Sequence, residues 1–151
     1  MASLAALALV LPFAAPPAPR PTLPPVPADV AMRMNGLFAK ATPAVRAWVD
    51  AEARKLRPVP QVEAPPVAAD ARQAFPSAQP PLTPGQADTL AAMALYQVLN
   101  DLDSEARLAI GEGAAERIAA LQGRRSKLIQ TLSALLSKIP KTDESIVQNL
   151  K

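Results

Sequence analysis

The chain offers few side chains that could perform catalysis or hold a metal. Its 151 residues include no cysteine and no histidine, which excludes thiolate chemistry, cysteine-ligated zinc and the most common general base. Asp101 and Glu105 share a helix face by their spacing, but they are typical of solvated surface carboxylates. No phosphate loop, dinucleotide fingerprint or metal motif occurs. The sequence therefore predicts no catalytic residue, no metal site and no cofactor, and a protein that is not an enzyme.

The densest group of charges that could bind a ligand is basic. Arg124, Arg125 and Lys127 lie within four consecutive positions and could contact phosphate groups or an anionic lipid surface. A solvated helix face is the alternative interpretation. No aromatic residue interleaves the cluster, so stacking on single-stranded nucleic acid has no support. The net charge of +3 is modest, and nucleic acid is not an expected partner.

Residues 84–139 form the main helical region that would position these groups. Thr83 supplies a hydroxyl at the N-cap, Pro84 occupies the first helical position, and Gln86 lies three residues after the cap. This pattern predicts a capping box at a helix start. No further proline occurs before Pro140, and apolar residues recur at intervals of three and four. The spacing is typical of a helical hairpin or coiled coil.

The apolar residues of this region form two stripes, which together are the predicted interaction seam. Arg125 is the polar interruption of the second stripe. The stripes differ in register by five residues, which would turn them by roughly 140° in one straight helix. The seam comprises Leu95, Leu99 and Leu102, then Ile118, Leu121, Leu128, Leu132, Leu135 and Ile139.

The change of register falls at Gly111, Glu112 and Gly113. Two glycines inside a helix would cost about 2 kcal/mol relative to alanine. We therefore expect an αα-hairpin with Gly111 as the left-handed residue at the end of its first helix. A long bent coiled-coil-like helix is the alternative. Folding back would bring Asp101 near Arg124 and Arg125.

Residues 28–57 are predicted to form a short amphipathic helical segment. Thr42 and Pro43 either restart the helix with a new cap or kink it. The segment either packs on the hairpin or lies on a membrane surface or in a partner's groove. Trp48 is the anchor that we expect in either case, and Phe38 is a second possible anchor for a membrane or partner.

The remaining segments are predicted to be tethers and tails. Residues 16–27 and 58–83 are proline-rich and are expected to be a solvated spacer and a disordered linker. A short helical turn near Phe75 is an alternative within the linker. Residues 140–151 are expected to form a short C-terminal helix or tail, with Ile146, Val147 and Leu150 on its apolar face.

Residues 1–15 form an apolar N-terminal segment that could be a secretory signal or an anchor. The segment is too short to span a bilayer unaided, no basic residue precedes it, and the sequence around Ala15 makes a poor cleavage site. An organellar transit segment and a plain Ala/Pro-rich tail are alternatives. Export or cell-envelope association is slightly favoured over a cytoplasmic location.

Together these patterns predict an all-α protein with a C-terminal helical hairpin. We expect a non-enzymatic subunit for protein–protein interaction or assembly, which packs against a protein partner or against copies of itself. The alternative function is an adaptor that binds an anionic membrane surface or nucleic acid through its basic amphipathic segments.

Overall fold

In a computed structural model, residues 15–19, 21–78 and 80–151 are described, and their regular secondary structure is entirely helical. The all-α fold class is confirmed. The apolar N-terminal segment, apart from Ala15, lies outside the described residues. The helices are α1 (Ala28–Lys40), α2 (Pro43–Leu56), α3 (Ala64–Ala74), α4 (Pro84–Glu112), α5 (Ala115–Lys138) and α6 (Ile146–Asn149), with a 3₁₀ helix (Lys141–Ser145) directly before α6.

The predicted hairpin is present, with α4 and α5 packed along each other. The position predicted for its turn is corrected by two residues. Gly113, not Gly111, adopts the left-handed conformation, with φ 70° and ψ 22°. The Gly113 amide donates to the Ile110 carbonyl at 3.2 Å, and the Ala114 amide donates to the Ala109 carbonyl at 3.1 Å. This Schellman pattern ends α4 two residues later than predicted.

The start of α4 follows the sequence signal. The Gln86 amide donates to Thr83 Oγ1 at 3.2 Å, and the Thr83 amide donates to Gln86 Oε1 at 2.9 Å, which completes the predicted capping box. Asp143 packs against this first turn so closely that a Cβ at Gly85 would overlap its carboxylate. The negative charge lies where the helix dipole favours it, and a larger residue at position 85 would displace the Asp143 carboxylate from this position.

Helix α4 is the hub of the fold. It contacts α1, α2, α3, α5 and the 3₁₀ helix, and every residue from 89 to 96 is buried. Alanines at 87, 91, 92 and 94 leave little side-chain bulk on this helix. Surrounding helices can therefore pack close to its axis, and a chain with few aromatic residues still fills a core.

The prediction of a disordered linker at residues 58–83 is corrected, because 11 of these residues form α3. Pro65 and Pro66 lie in the first turn of α3, where backbone amides have no partner within the helix and proline removes nothing. Val67, Ala68 and Ala71 are buried and face the hub helix, which α3 contacts extensively. Packing against α4 therefore stabilises α3, although its two prolines are residues that usually interrupt a helix.

Residues 28–57 are helical, as predicted. Residues 28–57 contain two helices, because Thr42 caps α2 by accepting from the Val45 amide at 3.3 Å. The Thr42 amide also donates to the Val147 carbonyl at 2.9 Å, which ties this junction to α6. In the spacer at 16–27, Leu23 and Val26 are partly buried against the core. The other described residues of this spacer are exposed, so the expectation of a solvated spacer is corrected only at these two positions.

The C-terminal segment is held by Arg33 of α1. Its guanidinium donates to the carbonyls of Leu136 and Ile139 at 2.5 and 2.8 Å and pairs with Glu144. These carbonyls at the end of α5 have no partners within the helix, so Arg33 satisfies them. The predicted apolar face of the C-terminal helix is buried: Ile146, Val147 and Leu150.

Candidate functional site

One face of α5 forms the wall of a surface groove. Lys127, Thr131, Ala134 and Lys138 follow one another at intervals of four, three and four residues, which places them along one side of a helix. All four line the groove. From Arg124 to Lys138, this wall is about 21 Å long at 1.5 Å per residue.

The opposite wall of the groove consists of residues from the predicted linker at residues 58–83. Val62, Glu63, Ala64, Ala68 and Arg72 line it. Because α3 packs on α4, this wall stands beside α5. The groove consists of two adjoining depressions of about 310 and 560 Å³, which share residues 62, 63 and 131. We call the pair the α5 groove.

The floor of the α5 groove is apolar. Val98, Leu102 and Leu128 line the smaller depression, and Leu135 lines the larger one. Three of these four residues belong to the predicted interaction seam. They are almost fully buried by neighbouring helices, so each presents an edge rather than a whole side chain. The floor can accept apolar groups without any rearrangement of the core.

The rim of the α5 groove carries more positive than negative charge. Arg72, Lys127 and Lys138 are basic, whereas Glu63 and Asp88 are acidic. Within the part of the chain that the structure describes, none of the three basic side chains forms an ion pair. Their charges remain available for a ligand that brings carboxylates.

The predicted basic cluster does not act as one surface. Arg124 donates to the backbone carbonyls of Arg57 and Val59 at 2.6 and 2.9 Å, and so closes one end of the groove. Arg125 is buried, and its Nε donates to Asp103 Oδ1 at 2.5 Å. Of the three residues of the cluster, only Lys127 is an exposed residue of the α5 groove. The partner expected for Arg125 was Asp101, which lies two residues away from the observed one.

The predicted seam is buried within a single chain. All nine of its residues are less than one-tenth exposed: Leu95, Leu99, Leu102, Ile118, Leu121, Leu128, Leu132, Leu135 and Ile139. Their apolar surface packs inside the helical bundle. Association between chains through this seam stays a prediction that the structure of one chain does not test.

The two predicted aromatic anchors both have partners inside the chain. Trp48 meets Phe75 edge-on, with ring centroids 6.1 Å apart and planes at 63°. Phe38 packs against Tyr96 with centroids also 6.1 Å apart. These contacts join α2 to the end of α3 and α1 to α4. Both anchors are only partly buried, so an edge of each ring remains at the surface.

The described residues show neither a metal-binding cluster nor a membrane-spanning helix. Residues 15–19, 21–78 and 80–151 bring no three acidic side chains together in a way that could hold a metal ion. The helices of the same ranges include none with the length and apolarity needed to cross a membrane.

Few features of the sequence indicate the α5 groove. Its only signal was Lys127, Thr131, Ala134 and Lys138, a face of α5 without large apolar residues beside the seam. The other wall depends on α3, which we had predicted to be linker.

Comparisons with protein-family models, curated proteins and solved structures each find no match to this chain.

Proposed function

We propose that the protein is a non-enzymatic interaction subunit whose α5 groove binds a short segment of a protein partner. The observation that carries the proposal is the groove itself, which has an α5 wall about 21 Å long and an apolar floor. Arg72, Lys127 and Lys138 along its rim form no ion pair with any other described residue. This combination favours an amphipathic segment that carries leucine-like residues and carboxylates.

The length of the groove sets the length of the segment. A helix of about 14 residues covers 21 Å at 1.5 Å per residue, and an extended strand covers it with about six. Apolar side chains at every third or fourth position of such a helix would face the floor. Carboxylates beside them would reach the lysines, where charge complementarity increases association rate and specificity more than affinity.

A partner segment fits this surface better than a second copy of the hairpin. The seam leucines that would join two copies are buried within one chain. Assembly through them would require the bundle to open, and that would expose the core formed around α4. The groove needs no such opening.

The test is selection of a displayed random 14-residue peptide library on the full chain. We expect the recovered peptides to combine Leu, Ile or Phe with Asp or Glu. Ala134→Trp should fill the groove and abolish their binding. Ala119→Trp is the matched control, because Ala119 is an exposed residue of the same helix that does not line the groove.

A second pair of variants tests the charges. Lys127→Glu with Lys138→Glu should weaken the recovered peptides several-fold, as expected for lost charge-assisted contacts. Lys141→Glu, outside the groove, should leave them unchanged. Peptides that are insensitive to Ala134→Trp, or recovery of basic peptides only, would overturn the proposal. Salt-dependent binding to anionic vesicles or DNA, without any peptide binding, would also overturn the proposal and would favour the adaptor function.

A further inference from the structure

A second cleft lies under the proline-rich segment before α1. Residues 21–26 lie beside α4 and, together with residues of α4 and α5, border an open cleft of about 570 Å³. Leu23 and Val26 of this segment pack partly buried against the core, and Ile110 of α4 lines the same cleft. The cleft is within the size range of small-molecule sites and has apolar walls on two sides.

Five polar side chains of the hairpin also line this cleft: Tyr96, Asn100, Asp103, Arg107 and Arg125. Asp103 and Arg107 are four residues apart on α4 and so share a face, while Arg125 reaches across from α5. Among the described residues of the lining, two guanidinium groups therefore accompany one carboxylate, which leaves one positive charge in surplus.

Arg125 is unusual because its side chain is buried yet only partly paired. The residue is 3% exposed, and among the described residues its one hydrogen bond runs from Nε to Asp103. The two terminal nitrogens of Arg125 have no hydrogen-bond partner among the described residues. Unlike Glu52 Oε1, however, they are not completely enclosed by the protein, and Arg125 lines the cleft. They are therefore reached from the cleft.

Tyr96 adds a neutral donor. Its burial, and secondarily the nearby charge of Asp103, raise the pKa of the Tyr96 phenol above its ordinary value. The hydroxyl therefore keeps its proton at neutral pH and can donate a hydrogen bond.

We infer that this cleft binds a small organic acid, with one carboxylate held by Arg107 and Arg125 and an apolar body held by Leu23, Val26 and Ile110. A guanidinium matches a carboxylate geometrically, because two parallel N–H groups can reach its two oxygens. The single surplus positive charge matches a monoanion, whereas Asp103 repels a ligand with more negative charge. This site is separate from the α5 groove: the consecutive residues Arg124 and Arg125 line different clefts.

The test uses sodium octanoate as the probe, titrated into the full chain below its micelle concentration. Isothermal calorimetry should show saturable binding, and amide shifts in NMR spectra should concentrate at residues of the cleft. Octanol, which lacks the charge, and acetate, which lacks the apolar body, should each bind at least about tenfold more weakly.

Arg107→Gln is the decisive variant, because Arg107 is exposed and its loss should not disturb folding. We expect it to weaken octanoate at least about fivefold, as expected for one charge-assisted hydrogen bond near solvent. Arg117→Gln, an exposed arginine that does not line this cleft, should bind as the unaltered chain does. Equal binding of octanol and octanoate, unchanged binding by Arg107→Gln, or shifts confined to the α5 groove would overturn the inference.

Discussion

Asp103 and Arg125 face each other across the α4–α5 hairpin, with Arg125 Nε donating to Asp103 Oδ1 at 2.5 Å. The arginine lies in a stripe of leucine and isoleucine, at a position where an apolar residue would be expected. The pair is therefore a polar contact inside the apolar interface between the two helices, and it links one defined position of α4 to one of α5.

Removing the Asp103 carboxylate alone should reduce the free energy of unfolding more than removing both charges of the Asp103–Arg125 pair. Asp103→Ala leaves a buried guanidinium without its partner and should reduce the free energy of unfolding by about 2–3 kcal/mol, near the lower end for a buried pair because Asp103 keeps some solvent contact. The double variant Asp103→Leu with Arg125→Leu should be close to neutral. Urea unfolding of the three proteins measures this, and equal losses in both variants would contradict it.

The two glycines near the turn should respond in opposite ways to alanine. Gly113→Ala forces a side chain into the left-handed region and should destabilise the protein by about 1 kcal/mol. Gly111→Ala, two residues earlier and inside α4 with open space around it, should stabilise the protein by up to about 1 kcal/mol. Thermal unfolding of both variants measures the signs. The same sign for both would mean that the turn lies elsewhere.

Glu52 is a buried carboxylate whose removal should stabilise the fold. It is 3% exposed, its Oε2 pairs with Lys55 Nζ at 2.6 Å, and its Oε1 has no hydrogen-bond partner among the described residues. Glu52→Met keeps an unbranched side chain and removes the unpaired atom, so we expect a gain of about 1 kcal/mol. Lys55 keeps Asp70 as a partner.

The matched control for Glu52 is Asp50→Met on the same helix. Asp50 is exposed, so its replacement should change the free energy of unfolding by less than about 0.5 kcal/mol. Loss of stability in Glu52→Met would show instead that the Glu52–Lys55 pair outweighs the unpaired oxygen. Denaturant unfolding at neutral pH compares both variants directly.

The stability of the protein should fall in alkaline solution partly because of Tyr96. Burial, followed by the charge of Asp103, raises the pKa of the Tyr96 phenol above 10.0. Above pH 10 the unfolded chain has released this proton while the folded chain still holds it, so the free energy of unfolding decreases as pH rises. Tyr96→Phe should flatten the decline between pH 10 and the folded pKa, measured by urea unfolding. Identical slopes would contradict the assignment.

Local signals in the sequence were sufficient to predict where α4 begins, but not how the helices pack against one another. The Thr83–Gln86 capping box depends on residues within a few positions and forms as predicted. Of the two alternatives at Thr42, the new helix cap is the one that forms. Helix α3 depends on burial of Val67 and its neighbours against α4, and so its prolines were interpreted as linker. The α5 groove was missed for the same reason, because one of its walls begins with α3.

The partner of Arg125 shows how a small local error changes a contact elsewhere. In an antiparallel hairpin, moving the turn towards the C-terminus moves the partner of any α5 residue in the same direction along α4. The left-handed residue is Gly113 rather than Gly111, and Arg125 accordingly meets Asp103 rather than Asp101. The sequence indicated that an acid would face this arginine, but the side-chain partner required the correct turn.

The central position of α4 also has a consequence for synthesis on the ribosome. Helices α1, α2 and α3 precede α4 in the chain, yet the helix against which they pack most extensively is α4. At about 5–20 residues per second, the 29 residues of α4 take on the order of seconds to translate. During that interval the apolar faces of the first three helices are without their main packing partner, so the nascent chain is open to chaperones and to aggregation until its hub has emerged.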